Sequence, residues 1–165
     1  MWRFDRFGDA VALLDEHGQS LTYAQLAREG EALCGAIGGR CLCFGLCGNT
    51  IGSAVGYAGM VEGGVVPALL AASIDRELFA ALYEAYHPAY LWAPEGFEWE
   101  ACESVYERFG YRLLKTPFGT ETKLHDDLAL LLTTSGSTGS PKFVRQSYAN
   151  IRANTESIVE YLALT

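Results

Sequence analysis

The chain has 165 residues, 50% hydrophobic and 19% charged, with a net charge of −8, which is the composition of a globular domain rather than of a disordered chain. Twelve Lys and Arg against twenty Asp and Glu exclude a general nucleic-acid binder, which needs a basic face, so any anion held here is held locally. No stretch approaches the roughly 18 uninterrupted apolar residues of a membrane span, and Asp5, Asp9 and Asp15 stand where a signal peptide has its apolar centre, so a cytoplasmic protein is expected.

Strands and helices alternate along the chain. Val11 to Leu14 and Ser20 to Tyr23 flank Glu16-His17-Gly18-Gln19 and read as a hairpin. From Thr22 the period becomes helical, with Leu26, Ala27, Gly30, Leu33, Cys34 and Ile37 on one face and Gly38-Gly39 as the stop. Cys41 to Leu46 is a short apolar strand. Asn49 or Thr50 then caps a helix whose inner face is Ile51, Ala54, Val55, Ala58 and Val61 or Glu62, small enough to lie close to a sheet, and Gly63-Gly64 ends it. Val65 to Leu70 is a strand that Pro67 assigns to an edge or an irregular end. Asp75 starts a helix through Leu78, Leu82 and Ala85, stopped at His87-Pro88. Ala89 to Trp92 is a strand, Trp99 to Phe109 a helix, Tyr111 to Lys115 a strand and Pro117 to Lys123 a polar loop. Leu128 to Thr133 is the most strand-like run, and a loop rich in Ser, Thr and Gly leads from it to a closing helix with Tyr148, Ile151, Thr155, Ile158 and Leu162 on one face. Repeated strand–helix–strand units predict an α/β fold: a mainly parallel sheet flanked by helices, with a short N-terminal hairpin.

Five cysteines, an odd number, argue against a disulfide framework. Cys41 and Cys43 alternate with bulky residues as one face of a buried strand does, and Cys34 and Cys102 fall on expected helices; none has metal-ligand spacing with a His. His17, His87 and His125 are scattered and read as solvated or locally bonded side chains. Asp126-Asp127 reads as a solvated strand entry rather than a metal site. Tyr83, Tyr86, Tyr90, Trp92, Phe97 and Trp99 form an aromatic patch, read as a core wall or an interface. No metal site and no catalytic constellation is expected in this sequence.

The segment from Thr133 to Lys142 carries the chemistry. Gly136 and Gly139 permit backbone conformations that aim successive N–H groups into one concavity. Thr134, Ser135, Ser137 and Thr138 add compact hydroxyl donors, and Lys142 adds a positive charge suited to a polyphosphate. On composition alone the same string is also a Ser/Thr/Gly surface turn. It is not a Walker loop, because Ser140-Pro141 separate Gly139 from Lys142 and Phe143 stands where a Mg²⁺-binding hydroxyl would follow the Lys.

Taken whole, Leu-Leu-Thr-Thr-Ser-Gly-Ser-Thr-Gly-Ser-Pro-Lys at 131–142 closely resembles the phosphate-binding signature of the adenylate-forming (AMP-binding) superfamily: acyl-CoA synthetases, nonribosomal peptide synthetase adenylation domains and luciferases. Leu21-Thr22-Tyr23-Ala24-Gln25-Leu26 resembles that family's early Leu-Thr-Tyr-x-Glu-Leu motif, and Met60 to Pro67 its Lys-x-Gly-x-x-x-x-Pro segment, in the right order. The resemblance implies a two-step ligase, which joins a carboxylic acid to ATP, releases pyrophosphate, and passes the acyl group from the adenylate to a thiol. By position, Thr134, Ser135, Gly136, Ser137, Thr138, Gly139 and Lys142 would hold the β- and γ-phosphates. ATP with Mg²⁺ is the implied cofactor of the complete enzyme, and CoA or a carrier-protein phosphopantetheine the possible acceptor. Two departures stand out: Gln25 replaces the usual Glu, and Phe143 the usual Gly after the Lys. The family's adenine-binding segment, Mg²⁺-binding Glu, ribose-binding Asp and C-terminal catalytic lysine have no counterpart in this sequence.

The expectation is therefore a single α/β subdomain over 1–165, the N-terminal portion of a larger adenylate-forming domain, with its phosphate-binding loop at 133–142. Its partners would be a carboxylic-acid substrate in the complete enzyme and the remainder of the ligase, in cis or in trans. The alternatives are a non-catalytic binding or assembly module that retains the loop, and one half of a split ligase.

Overall fold

The computed structural model describes residues 4–120, 122–133 and 142–163. A short 3₁₀ turn, Phe4–Arg6, precedes the antiparallel hairpin of β1 (Val11–Leu14) and β2 (Ser20–Thr22). Asp15 shapes the turn by accepting from the N–H groups of His17 and Gln19 at 2.9 and 2.8 Å. Thr22 then caps α1 (Tyr23–Ile37): its hydroxyl accepts from the Gln25 N–H while the Gln25 side chain accepts from the Thr22 N–H. A glutamine closes this reciprocal cap as a glutamate would. Gly38, at φ 83°, ends the helix in the left-handed conformation.

The following elements are β3 (Leu42–Cys47), α2 (Ile51–Glu62), β4 (Val66–Ala71), α3 (Arg76–Tyr86), β5 (Tyr90–Pro94), β6 (Glu103–Arg108), β7 (Tyr111–Lys115), β8 (Leu128–Thr133), β9 (Phe143–Ser147) and α4 (Tyr148–Tyr161). Among the described residues β3 to β9 form one sheet in the order β6-β7-β5-β3-β4-β8-β9. The central strands β5, β3, β4 and β8 are mutually parallel, and β7 and β9 run against them near either edge. The architecture is the expected mainly parallel α/β sheet with a small hairpin beside it.

Chain path explains the layers. The chain steps from β3 to β4 through α2, then returns past β3 to β5 through α3. Right-handed crossovers in opposite directions place their helices on opposite faces. On one face Phe79, Leu82 and Tyr83 of α3 pack on Leu42, Phe44, Leu46, Ala68 and Leu91. On the other, Leu33 and Ile37 of α1 and Met60 of α2 pack on Cys41, Cys43, Trp92 and Leu113. β3 is therefore apolar on both sides, its thiols facing α1 and α2 and its bulky residues facing α3.

Three expectations change, and one pair of alternatives is decided. The segment expected as a helix from Trp99 to Phe109 instead contains β6, an edge strand hairpinned to β7, so Cys102 lies outside any helix. Phe109 and Gly110, at φ 52° and 71°, make a two-residue turn with both residues left-handed, the geometry that suits a right-twisted hairpin. The core face of α3 is Phe79, Leu82 and Tyr83, whereas Leu78 is 41% exposed and Ala85 is exposed. A strand, β9, intervenes between the loop and the closing helix. Of the two places Pro67 allowed, the irregular end is the one observed: β4 is interior, between β3 and β8, and the proline stands near its start. Val66 donates its N–H to Cys41 on the β3 side, so alternation turns the nitrogen of residue 67 toward β8. The β4–β8 ladder begins only at Ala68, and the proline's missing N–H leaves no ladder bond broken.

Candidate functional site

Parallel strands bring their carboxyl ends to one edge of the sheet, where ligands bind in open α/β folds. Here that edge carries Gly48-Asn49-Thr50 after β3, Ala72 to Asp75 after β4 and Thr133 at the end of β8. The loops after β3 and β4 leave toward opposite faces, which opens a crevice between them. A cavity of about 550 Å³ lies on the α2 side of this edge, between the hairpin and the start of α2, walled by Leu13, Cys47, Asn49, Thr50, Ser53 and Tyr57. Thr50 caps α2, its hydroxyl accepting from the Ser53 N–H at 3.2 Å.

Of the residues expected to bind phosphate, Thr134, Ser135, Gly136, Ser137, Thr138 and Gly139 lie outside the described residues. Lys142 is described and is exposed to solvent. What the structure fixes is the frame. Thr133 at the end of β8 pairs with Phe143 at the start of β9, so the chain leaves the sheet and re-enters it at neighbouring points of the carboxyl edge.

Phe143 anchors the point of re-entry. Its ring meets Phe44 at 5.8 Å between centroids and Tyr86 at 4.7 Å, both edge-on, the geometry aromatic pairs favour. Sequence reasoning marked this phenylalanine only as a departure from glycine. Its packing on the α3 face is a tertiary fact that no local pattern shows.

The other flagged residues sort into the core or the surface. Tyr83, Tyr86, Phe97 and Trp99 gather with Phe79 on the α3 face, and Trp92 lies on the other, so the aromatic patch is core wall rather than a cage. Burial pushes every cysteine thiol up: Cys41 to about 11, helped by Cys34, and Cys43 furthest. These thiols stay protonated, the opposite of what a nucleophile needs. Among the described residues no group of three His, Cys, Asp or Glu is placed to hold a metal, and no helix is long and apolar enough to cross a membrane. His87 ends α3 in the left-handed conformation against Phe118, and His125 accepts from the Asp127 N–H.

Arg40, which sequence reasoning passed over, bridges the opposite ends of the same strands. It donates to the carbonyls of Gly64, His125 and Leu128, each at 2.7 Å, and of Asp126 at 3.2 Å.

No protein-family model matches the sequence, and no curated protein does. Solved structures do. O-succinylbenzoate coenzyme A synthetase from Bacillus subtilis, in complex with AMP, aligns over 99% of this chain and 45% of its own, at 22% identity and a TM-score of 0.74. The same enzyme with its acyl-adenylate intermediate gives 22% identity and a TM-score of 0.75 over the same shares. A malonyl-CoA ligase with methylmalonyl-CoA and AMP bound aligns over 92% of this chain and 32% of its own, at 28% identity and a TM-score of 0.69. The chain thus spans less than half the length of the proteins it matches. Its fold is that of the N-terminal part of the adenylate-forming ligases, the superfamily whose phosphate signature the string at 131–142 resembles.

Proposed function

We propose that this chain is the N-terminal portion of an ATP-dependent, carboxylate-activating ligase, and that Thr134, Ser135, Gly136, Ser137, Thr138, Gly139 and Lys142 hold the β- and γ-phosphates of ATP. One observation carries the reading: a string with the superfamily's phosphate signature follows a parallel strand at the carboxyl edge of a sheet with that superfamily's fold. In the complete enzyme the carboxylate oxygen attacks the α-phosphorus of ATP, and the bond to the β-phosphate oxygen breaks, giving acyl-adenylate and pyrophosphate. Donors held on the β- and γ-phosphates stabilise the charge that the leaving pyrophosphate takes up. A thiol, of CoA or of a carrier protein, then displaces AMP.

The loop's donor set fits this role. It offers hydroxyls, backbone N–H groups and one ammonium, all donors to phosphate oxygen. It contains no carboxylate, so Mg²⁺ would be held by the phosphates and by groups outside the loop.

The second part of the proposal is that further polypeptide of the ligase, in cis or in trans, packs on this chain. α4 supports it: none of its side chains is buried, and Ile158, Val159 and Tyr161 are exposed at 46, 41 and 88%. A capped helix with an apolar stripe facing solvent fits a surface that another element covers.

Two assays on the chain as it stands test the reading. The protein binds MgATP in a calorimetric titration, and Lys142→Ala weakens binding by about one to two decades, the worth of a charge-assisted contact. It catalyses no carboxylate-dependent ATP–pyrophosphate exchange, because the groups that hold adenine and complete the chemistry are not in this sequence. Exchange by this polypeptide alone would sink the second statement, and binding indifferent to Lys142 the first.

A further inference from the structure

We propose that Arg40 is a positioning residue for the phosphate-binding loop, acting through the start of β8; the proposal rests on the loop reading above. β8 carries the loop, and its backbone pairing with the body of the sheet is concentrated at one end. Its ladder with β4 consists of two residue pairs, Ala68–Leu131 and Leu69–Leu132, both toward the loop end. Its other ladder, with β9, ties it to a strand that is itself at the edge. Two ladder pairs fix a strand at one end only.

The reason the ladder stops is Pro67. Its nitrogen faces β8 and has no hydrogen to donate, so the first half of β8 has no backbone donor from β4 at that level. Arg40 takes that place. Its Nη1 donates to Gly64 O, just before β4, and its Nη2 reaches Leu128 O, the first residue of β8, and His125 O and Asp126 O in the approach to it. A planar fork can span two backbone segments in one geometry, which a lysine ammonium cannot. The guanidinium thus supplies the second point that sets the strand's angle in the sheet, with the short ladder as the first. Remaining contacts are non-directional packing and isolated bonds: Leu131 in the core, the Phe143 ring against Phe44 and Tyr86, the Tyr148 N–H donating to Asp127 O at 3.1 Å and the Tyr148 hydroxyl to Val61 O at 3.3 Å. With Arg40 gone, the β8–β9 pair can pivot on its two ladder pairs, and the loop at its tip moves with it.

The test uses Arg40→Ala, Arg40→Lys, Pro67→Ala and the double variant Arg40→Ala/Pro67→Ala. Each is measured for amide exchange across Leu128–Thr133 and for MgATP affinity, at a temperature where circular dichroism shows it folded. Arg40→Ala speeds exchange in β8 and weakens MgATP binding by about tenfold. Arg40→Lys lies between, and carries the test if the alanine variant does not fold. Pro67→Ala returns an N–H facing β8 and, in the Arg40→Ala background, slows exchange and recovers part of the affinity. A folded Arg40→Ala that binds MgATP like the unaltered protein overturns the proposal, as does weakened binding with unchanged β8 exchange or a double variant no better than the single. Absence of MgATP binding by the unaltered protein is a different failure, and removes the loop reading itself.

Discussion

The indole nitrogen of Trp92 donates to the carbonyl of Gly52 across 2.9 Å, joining β5 to the first turn of α2. That bond explains the small residues of α2. A Cβ at Gly56, one turn on, would overlap the Trp92 ring, and one at Gly52 would meet Phe109 O and the Tyr111 ring at 2.5 Å. Tyr111 stacks on Trp92 and donates its hydroxyl to Leu46 O at 3.0 Å. The helix is carved to admit two aromatic rings, each with its polar group satisfied.

Trp92→Phe should therefore cost about 1–3 kcal/mol, from the lost hydrogen bond to Gly52 and the cavity left by the smaller ring. Gly56→Ala should cost at least about 1–3 kcal/mol from overpacking. Urea denaturation midpoints measure both. A Gly56→Ala protein as stable as the original would mean the helix can lift from the sheet.

The crossing of α1 and α2 makes a similar demand. A Cβ at Gly30 would lie 2.7 Å from the Gly59 Cα, and one at Gly59 would lie 2.5 Å from the Gly30 Cα. The Cys34 thiol donates to Gly59 O at 3.2 Å beside this contact. An alanine is a better helix former than glycine by about 1 kcal/mol. Gly59→Ala is nevertheless expected to destabilise, because backbone meets backbone and neither helix can yield a side chain. A raised thermal midpoint would contradict this.

These relationships mark the limit of what the sequence shows. The helix starts at Thr22, Thr50 and Asp75 were legible, since each cap is a local device. So was the two-sided burial of β3, from its unbroken apolar run. β6 was not: its residues are mostly exposed, so the alternation that identifies a half-buried strand is weak, and only Phe109-Gly110 marked the turn. Pro67 left an edge and an irregular end equally open, because both spare a missing N–H, and only the strand order decides for the second. The loop string was legible because its chemistry is local. Arg40 was not, because its partners at 64 and 125–128 are distant in sequence.

Alkaline pH should loosen the fold. Burial raises the Cys41 thiol from 9.0 to about 11 and pushes Cys43 up further. A group whose folded pKa is raised keeps its full contribution below the unfolded value and loses it as pH rises through the folded one, because the unfolded chain sheds its protons first. Stability is thus level below about pH 9 and falls toward about pH 11. Urea midpoints taken across this range check it, and a level profile through pH 10.5 or so would refute the assignment of these thiols to the core.

Phe143 offers a test of the frame without touching the loop. Phe143→Ala removes the ring that rests on Phe44 and Tyr86, and should cost about 2–4 kcal/mol for a half-buried aromatic. It should also weaken MgATP binding, since the base of the loop loses its anchor. Phe143→Leu should restore much of the stability by refilling the volume. Unchanged binding in a folded Phe143→Ala protein would show that the Thr133–Phe143 pair alone holds the base.

The most direct test of the central claim is competition against bound MgATP. A site made by Thr134, Ser135, Gly136, Ser137, Thr138, Gly139 and Lys142 holds the β- and γ-phosphates and touches neither ribose nor base. Magnesium pyrophosphate should then displace MgATP, adenosine should not, and Lys142→Ala should weaken both phosphate ligands by a similar factor. Displacement by adenosine but not by pyrophosphate, or MgATP binding that ignores Lys142, would place the nucleotide elsewhere and contradict the account.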